Sequence, residues 1–217
     1  MLEAIRNAFT LPDLRRKIVF TLLILVVYRA AAHVPVPGVD VDVLKQILDS
    51  RGEMNPIVEF LNLLSGGSLT RLSVMAMGVY PYITASIIMQ LLTPLIPQLQ
   101  ELSKEGEQGR NKITLYTHWL TVPLAMLQGY AQVIFIQSSM QQSLGPLLPN
   151  FGFNVDPLAT TATLITMTAG TMIAVWMGEL ITEQGIGNGV SIIIFGGIVA
   201  QIPNQIGTLI YNAQVDS

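Results

Sequence analysis

The sequence predicts an all-α, polytopic membrane protein, a helical bundle, on three observations. Of its 217 residues, 51% are hydrophobic and only 12% charged, a balance that suits lipid rather than water as the surrounding solvent. The charges crowd into 3–17, 40–59 and 101–112, leaving long intervals nearly free of charge at bilayer-spanning length. Two of those intervals close on proline pairs, Pro35 with Pro37 and Pro94 with Pro97, which end helices. The chain has no cysteine, so it offers neither a disulfide framework nor a thiolate metal site, and its net charge of −3 gives no footprint for nucleic acid.

Residues 2–14 read as a short interfacial helix, or a plain tether, with Leu2, Ile5, Phe9 and Leu14 on one face and Glu3, Arg6 and Asn7 pointing away. The first span is 18–34; it follows Arg15, Arg16 and Lys17 at spanning length without a small-residue cleavage site, so it is expected to stay as an anchor. The segment 38–56, with Asp40, Asp42, Asp49 and Glu53 against Lys45 and Arg51, is an aqueous loop. Then comes 57–73, apolar from Ile57 to Leu64, broken by Ser65, Gly66 and Gly67, and carrying Arg71. It is too short and too interrupted to cross lipid, which makes it a half-inserted piece sheltered by protein or water; the competing reading is a surface amphipathic helix.

Residues 74–97 are the second span, with Pro81 expected to kink it. A charged hairpin follows at 98–112, where Lys104, Arg110 and Lys112 stand among Glu101, Glu105 and Glu107, and Gly106 and Gly109 allow its turn. Spans three, four and five are 113–136, 156–178 and 190–211, and 212–217 is a short end on the outer side. If the amino terminus is cytoplasmic, seven Lys and Arg lie inside (Arg6, Arg15, Arg16, Lys17, Lys104, Arg110, Lys112) against Lys45 and Arg51 outside, so the basic bias favours that orientation.

Ionisable groups inside lipid usually mark function, and here they are Arg29, His33, His118 and the boundary carboxylates Glu179 and Glu183. None makes a catalytic constellation. His33 and His118 have no partner at metal-ligand spacing and read as interfacial polar residues. No H-E-x-x-H or G-x-S-x-G is present, so no enzyme and no cofactor are expected. Gly185, Gly187 and Gly189 with Asn188 form a turn between spans four and five, and Asn188 can cap the helix that follows. That helix carries Val190, Ile193, Ile194 and Ile198 as a stripe able to face lipid or a pore.

Four runs resemble the SecY family of protein-conducting channels: Y-R-A-A-A-H-V-P-V-P-G-V-D (28–40), L-L-S-G-G-S-L-T-R-L-S-V-M-A-M-G-V-Y-P-Y-I-T-A-S-I-I-M-Q-L-L (63–92), L-S-K-E-G-E-Q-G-R-N-K-I-T-L-Y-T (102–117) and G-E-L-I-T-E-Q-G-I-G-N-G-V-S-I-I-I-F-G-G-I-V-A (178–200). They stand in the family's order and cover nearly the whole chain. The resemblance implies half of an inverted-repeat channel, passive and without cofactors, through which unfolded secretory chains cross or leave sideways into lipid. It makes 57–73 the plug, with Phe60, Leu61, Leu64, Ser65, Gly66, Gly67 and Arg71. It places an aliphatic constriction at Val79, Ile83, Val190 and Ile194, suited to dewet and resist ions. It makes Lys104, Glu105, Gly106, Arg110 and Lys112 a cytoplasmic hairpin, and spans two and three one wall of a lateral gate.

The partners it implies are a carboxyl-terminal half or a second copy, the small subunits SecE and SecG, the SecA motor or a ribosome, and signal sequences and nascent chains, all in a bacterial inner membrane. Tyr80 stands where the family often has methionine, valine at 79 and 190 makes a smaller ring than isoleucine, and Asn111 and His118 replace usual basic residues. The family's second five spans are not present in the chain, leaving the opposite gate wall to another half. The alternative from another class is a repeat half of a secondary transporter, which would need a substrate or ion site at the membrane midplane. A structural subunit without a conduit is a further competitor.

Overall fold

The computed structural model describes residues 11–39, 67–68, 71–140 and 148–202. In chain order its helices are α1 (Pro12–Ala31), α2 (Tyr80–Leu95), α3 (Pro97–Lys104), α4 (Glu107–Met140), α5 (Pro157–Gln184) and α6 (Gly189–Val199). Each boundary has a local cause.

Pro12 occupies the first turn of α1, where its missing N–H costs nothing and its fixed φ favours the helix. The helix therefore begins before the basic triplet and takes in residues 12–14, which the sequence assigned to an interfacial helix; residues 2–10 of that helix lie outside the described residues. It ends at Ala31 and not at 34, with the Ala32 N–H donating to Tyr28 O at 2.9 Å.

The second helix departs further from its prediction. Residues 74–79 are consecutive turns, and α2 starts only at Tyr80. Gly78 at φ +52 breaks any earlier helix, and Pro81 falls in the first turn, so it starts α2 and does not kink it. The far end breaks at Ile96, held extended (φ −103, ψ 114) because Pro97 disfavours the helical region for its predecessor. The chain bends there by 100° into α3.

Gly106 (φ +79) turns the chain from α3 into α4, whose 34 residues absorb both the hairpin's second limb and the predicted third span. Gly109, expected in the turn, lies inside α4, where a Cβ would overlap the Leu102 carbonyl oxygen. Asp156 caps α5 by accepting from the N–H groups of Leu158 (3.0 Å) and Ala159 (3.1 Å). This helix runs past the predicted 178 to Gln184. Asn188 caps α6 as its sequence suggested, accepting from Ser191 N–H at 3.1 Å. Residues 203–217, the rest of the predicted fifth span and the outer end, lie outside the described residues.

The centre of the bundle is α5, with α4 and α6 packed on it, α1 across α5 and α6, and α2 mainly on α4. Small residues on α5 allow these approaches: the backbones of Gly178 and Gly189 touch, as do Gly170 and the Val74 carbonyl. By length and composition α4 and α5 each suffice to cross a membrane, and α2 with α3 makes a third span if the bent pair is one broken element. The α1 helix has 20 residues, but its early turns hold Asp13, Arg15, Arg16 and Lys17, and α6 has only 11 residues.

Candidate functional site

The turns at 67–68 and 71–79 are the part of the fold that a simple bundle does not need. Several of their backbone groups are satisfied without a helix. Val36 N–H donates to Leu72 O and Val74 N–H to Val34 O, each at 2.9 Å, around an antiparallel bridge between Pro35 and Ser73. Ser73 N–H reaches Ser68 O (3.1 Å), Ala76 N–H reaches Ser73 O (2.9 Å) and Gly78 N–H reaches Met75 O (2.9 Å). Residues 34–36, just after α1, thus form a short strip against which this segment registers.

Almost all of the segment is enclosed. Ser68, Leu72, Ser73, Met75, Ala76, Met77 and Val79 are buried. Leu72 adopts φ +40, a left-handed conformation uncommon for a branched side chain, and Gly67 lies at φ +83 with the Gln201 side chain folded onto it. The hydroxyls of Ser68 and Ser73 are buried without a hydrogen-bond partner. Non-helical backbone in an apolar-helix bundle is stable only when protein or a water-filled cavity surrounds it, and these residues meet that condition. Of the plug residues expected from sequence, Gly67 and Arg71 are described, buried and partly buried respectively; Phe60, Leu61, Leu64, Ser65 and Gly66 lie outside the described residues.

The four aliphatic residues of the expected constriction belong to a single apolar cluster. Val79 is buried within it beside Tyr28, Met75, Ala174, Val175, Met177, Ile181 and Ile193, and Ile83, Val190 and Ile194 pack against it half-buried. Val79 is not on the helix as expected but immediately before it; the Ile83 N–H still donates to Val79 O at 3.1 Å, so the two residues remain one turn apart. Val190 and Ile194 are one turn apart on α6.

The hairpin residues Lys104, Glu105, Arg110 and Lys112 are exposed, with Lys112 Nζ 3.6 Å from Glu105 Oε2. At half exposure this pair contributes little to stability. His33 is an exposed terminal polar residue, its Nδ1 2.7 Å from Arg29 O. His118 differs from the sequence expectation: Nε2 lies 2.8 Å from Glu179 Oε1, joining α4 to α5, and its ring stands 5.6 Å from that of Tyr82 on α2. The contact is one of proximity and not a well-aligned hydrogen bond. Sequence reasoning took these residues singly, because the long 137–156 connection leaves the register of α4 against α5 undetermined. Nearby, Gln128 Nε2 donates across to Thr84 Oγ1 at 3.4 Å. Among the described residues no three His, Asp or Glu side chains gather as metal ligands would.

The SecY family model matches residues 73–217. Among curated relatives, the protein translocase subunit SecY of Streptomyces scabiei is 44% identical over 209 residues, covering 96% of this chain and 48% of the relative. That of Streptomyces galbus is 46% identical (95% and 47% covered), and that of Thermotoga maritima 44% identical (95% and 47% covered). The chain spans about half the length of these relatives. Of solved structures, Sec61 in the canine ribosome-channel complex from the endoplasmic reticulum aligns with TM-score 0.54 and 21% identity over 86% of this chain and 36% of that one. A structure described as that of a protein conducting channel aligns equally well. These two likenesses bear on the fold, a helical membrane protein.

Proposed function

We propose that this chain, which belongs to the SecY family, is the amino-terminal half of a passive protein-conducting channel that needs a complementary half to enclose its pore. The observation that carries the reading is the buried, non-helical stretch 71–79, packed inside apolar helices and running directly into the cluster that holds Val79, Ile83, Val190 and Ile194. A plain bundle has no use for such a stretch; a channel closed by a removable segment does.

On this reading 57–73 is the plug, the four aliphatic residues line one side of the constriction, and α2 with α4 forms a wall of the lateral gate. The complementary half is a carboxyl-terminal half or a second copy. SecE and SecG accompany it, and the SecA motor or a ribosome engages the exposed hairpin at Lys104, Glu105, Gly106, Arg110 and Lys112. Signal sequences and nascent chains are its cargo, with no catalytic step and no cofactor. The site is a bacterial inner membrane with the amino terminus in the cytoplasm, as the basic bias favours. The transporter alternative gains no support, since the relatives are protein translocase subunits.

The test is Ile83→Asn in a complete channel. A polar side chain wets an apolar constriction, so resting ion conductance in planar bilayers should rise and secretion of chains with defective signal sequences should increase. Conductance and selectivity both unchanged would refute the placement of the constriction.

A further inference from the structure

Tyr82, His118 and Glu179 lie on three different helices, α2, α4 and α5, and meet at one point. We propose that they form a brace that sets the position of α2, and with it the width of the aperture at Ile83. The inference rests on the constriction reading above and deepens it by naming positioning residues behind the ring.

The argument begins with how α2 is otherwise held. It packs mainly on α4 and touches α5 little. Its other polar tie, Thr84 to Gln128, is long at 3.4 Å and leaves Gln128 Oε1 buried without a partner. The remaining contacts given among the described residues are mainly apolar, and apolar contact is non-directional, so it resists separation of helices better than sliding or rotation between them. A polar contact at 2.8 Å between two particular side chains is short-ranged and is lost with small displacements of either helix.

The geometry gives that local contact a route to the ring. Glu179 approaches His118 Nε2 at 2.8 Å, which holds the imidazole, and the imidazole faces the Tyr82 ring at 5.6 Å with an interplanar angle of 36°. Tyr82 is the residue before Ile83. A rotation of α2 that frees the tyrosine ring therefore turns Ile83 relative to Val190 and Ile194 on α6. The side chains of His118 and Glu179 are 22% and 34% exposed, enclosed enough to hold one geometry yet open enough to rearrange when a polypeptide pushes α2 aside.

The experiment compares variants in a complete channel, reading resting conductance in planar bilayers. Glu179→Gln is nearly isosteric, so it removes charge without opening a cavity. Glu179→Gln, His118→Ala and Tyr82→Leu should each raise conductance about two- to fivefold, the range expected for loss of one partly exposed pair. The Glu179→Gln/His118→Ala double variant should do no more than the larger single change, because both remove one interaction. His118→Lys, which places a positive partner beside Glu179, should fall back toward the parent.

Ile83→Asn is the control that separates the two ideas. If it raises conductance while the three brace variants do not, the brace is wrong and the constriction stands. If it too has no effect, the constriction reading fails and takes the brace with it. Additive effects in the double variant, or His118→Lys leaking as much as His118→Ala, would also overturn the proposal.

Discussion

Gly170→Ala isolates the contact between α5 and the buried turns. In most helix interiors this change is favourable by about 1 kcal/mol, since alanine is the better helix former. Here an added Cβ would overlap the Val74 carbonyl oxygen and lie 2.7 Å from the carbonyl carbon. An unstrained carbon–carbon contact is about 3.5 Å, so relieving the carbon alone takes a retreat of roughly 0.8 Å, and the overlapped oxygen requires the turn backbone to move further. A carbonyl in a hydrogen-bonded turn has no rotamer with which to yield. Because the overlapped atom is backbone, the cost falls in the upper part of the range for overpacking, about 2–3 kcal/mol, leaving a net loss of about 1–2 kcal/mol after the gain in helix propensity. Thermal unfolding of the detergent-solubilised complete channel, about twice the length of this chain, should show Tm lowered by about 1–2 °C. The comparison is Gly129→Ala on α4, where the Cβ would meet the Met77 thioether, Sδ at 3.1 Å and Cε at 3.4 Å. Methionine is flexible and can move aside, so that variant should stay near the parent. A Gly170→Ala channel as stable as the parent, or no worse than Gly129→Ala, would refute the claim that the turn backbone is clamped against α5.

The remaining predictions follow from caps, surface charge and topology. Asn188→Ala removes the side chain that caps α6 and should destabilise it by about 1 kcal/mol, seen as faster amide hydrogen exchange in the first turn after Gly189. Lys112→Ala breaks an exposed pair with Glu105 and should change stability by less than about 1 kcal/mol, with no resolvable shift in the melting curve. A cysteine placed at Lys104 should resist a membrane-impermeant thiol reagent added outside intact cells; ready labelling would reverse the orientation given by the basic bias.

The helical class was legible because apolar intervals and proline punctuation act locally. So were the Asn188 cap and the turn at Gly106, which depend on the residue itself and its immediate neighbours. The start of α2 was not. Residues 74–79 are apolar enough to read as helix, and what withholds helix from them is partly local, in Gly78 and Pro81, and partly tertiary, in the pairing of Leu72 and Val74 with Val34 and Val36. Nothing in the spacing of Pro35 and Ser73 announces that pairing across the intervening sequence. The His118–Glu179 contact was missed for a related reason: each residue was assessed on its own helix, while their meeting depends on the register of α4 against α5.

The late start of α2 changes how the candidate ring is built. Val79 belongs to the buried turns and Ile83 to the helix, and a backbone hydrogen bond of 3.1 Å from Ile83 N to Val79 O joins them. Two neighbours in the proposed constriction thus ride on different mechanical parts. Val79 follows the segment clamped by α5 and by the strip after α1, whereas Ile83 follows α2 and whatever holds α2 to α4. On the proposed reading, withdrawal of the buried segment carries Val79 away from the ring even if α2 stays in place. Movement of α2 away from α4 and α5 displaces Ile83 even if the segment stays. The first motion widens the route across the membrane and the second loosens the wall toward lipid, so one apolar cluster can serve both exits because its members are fastened to separate elements.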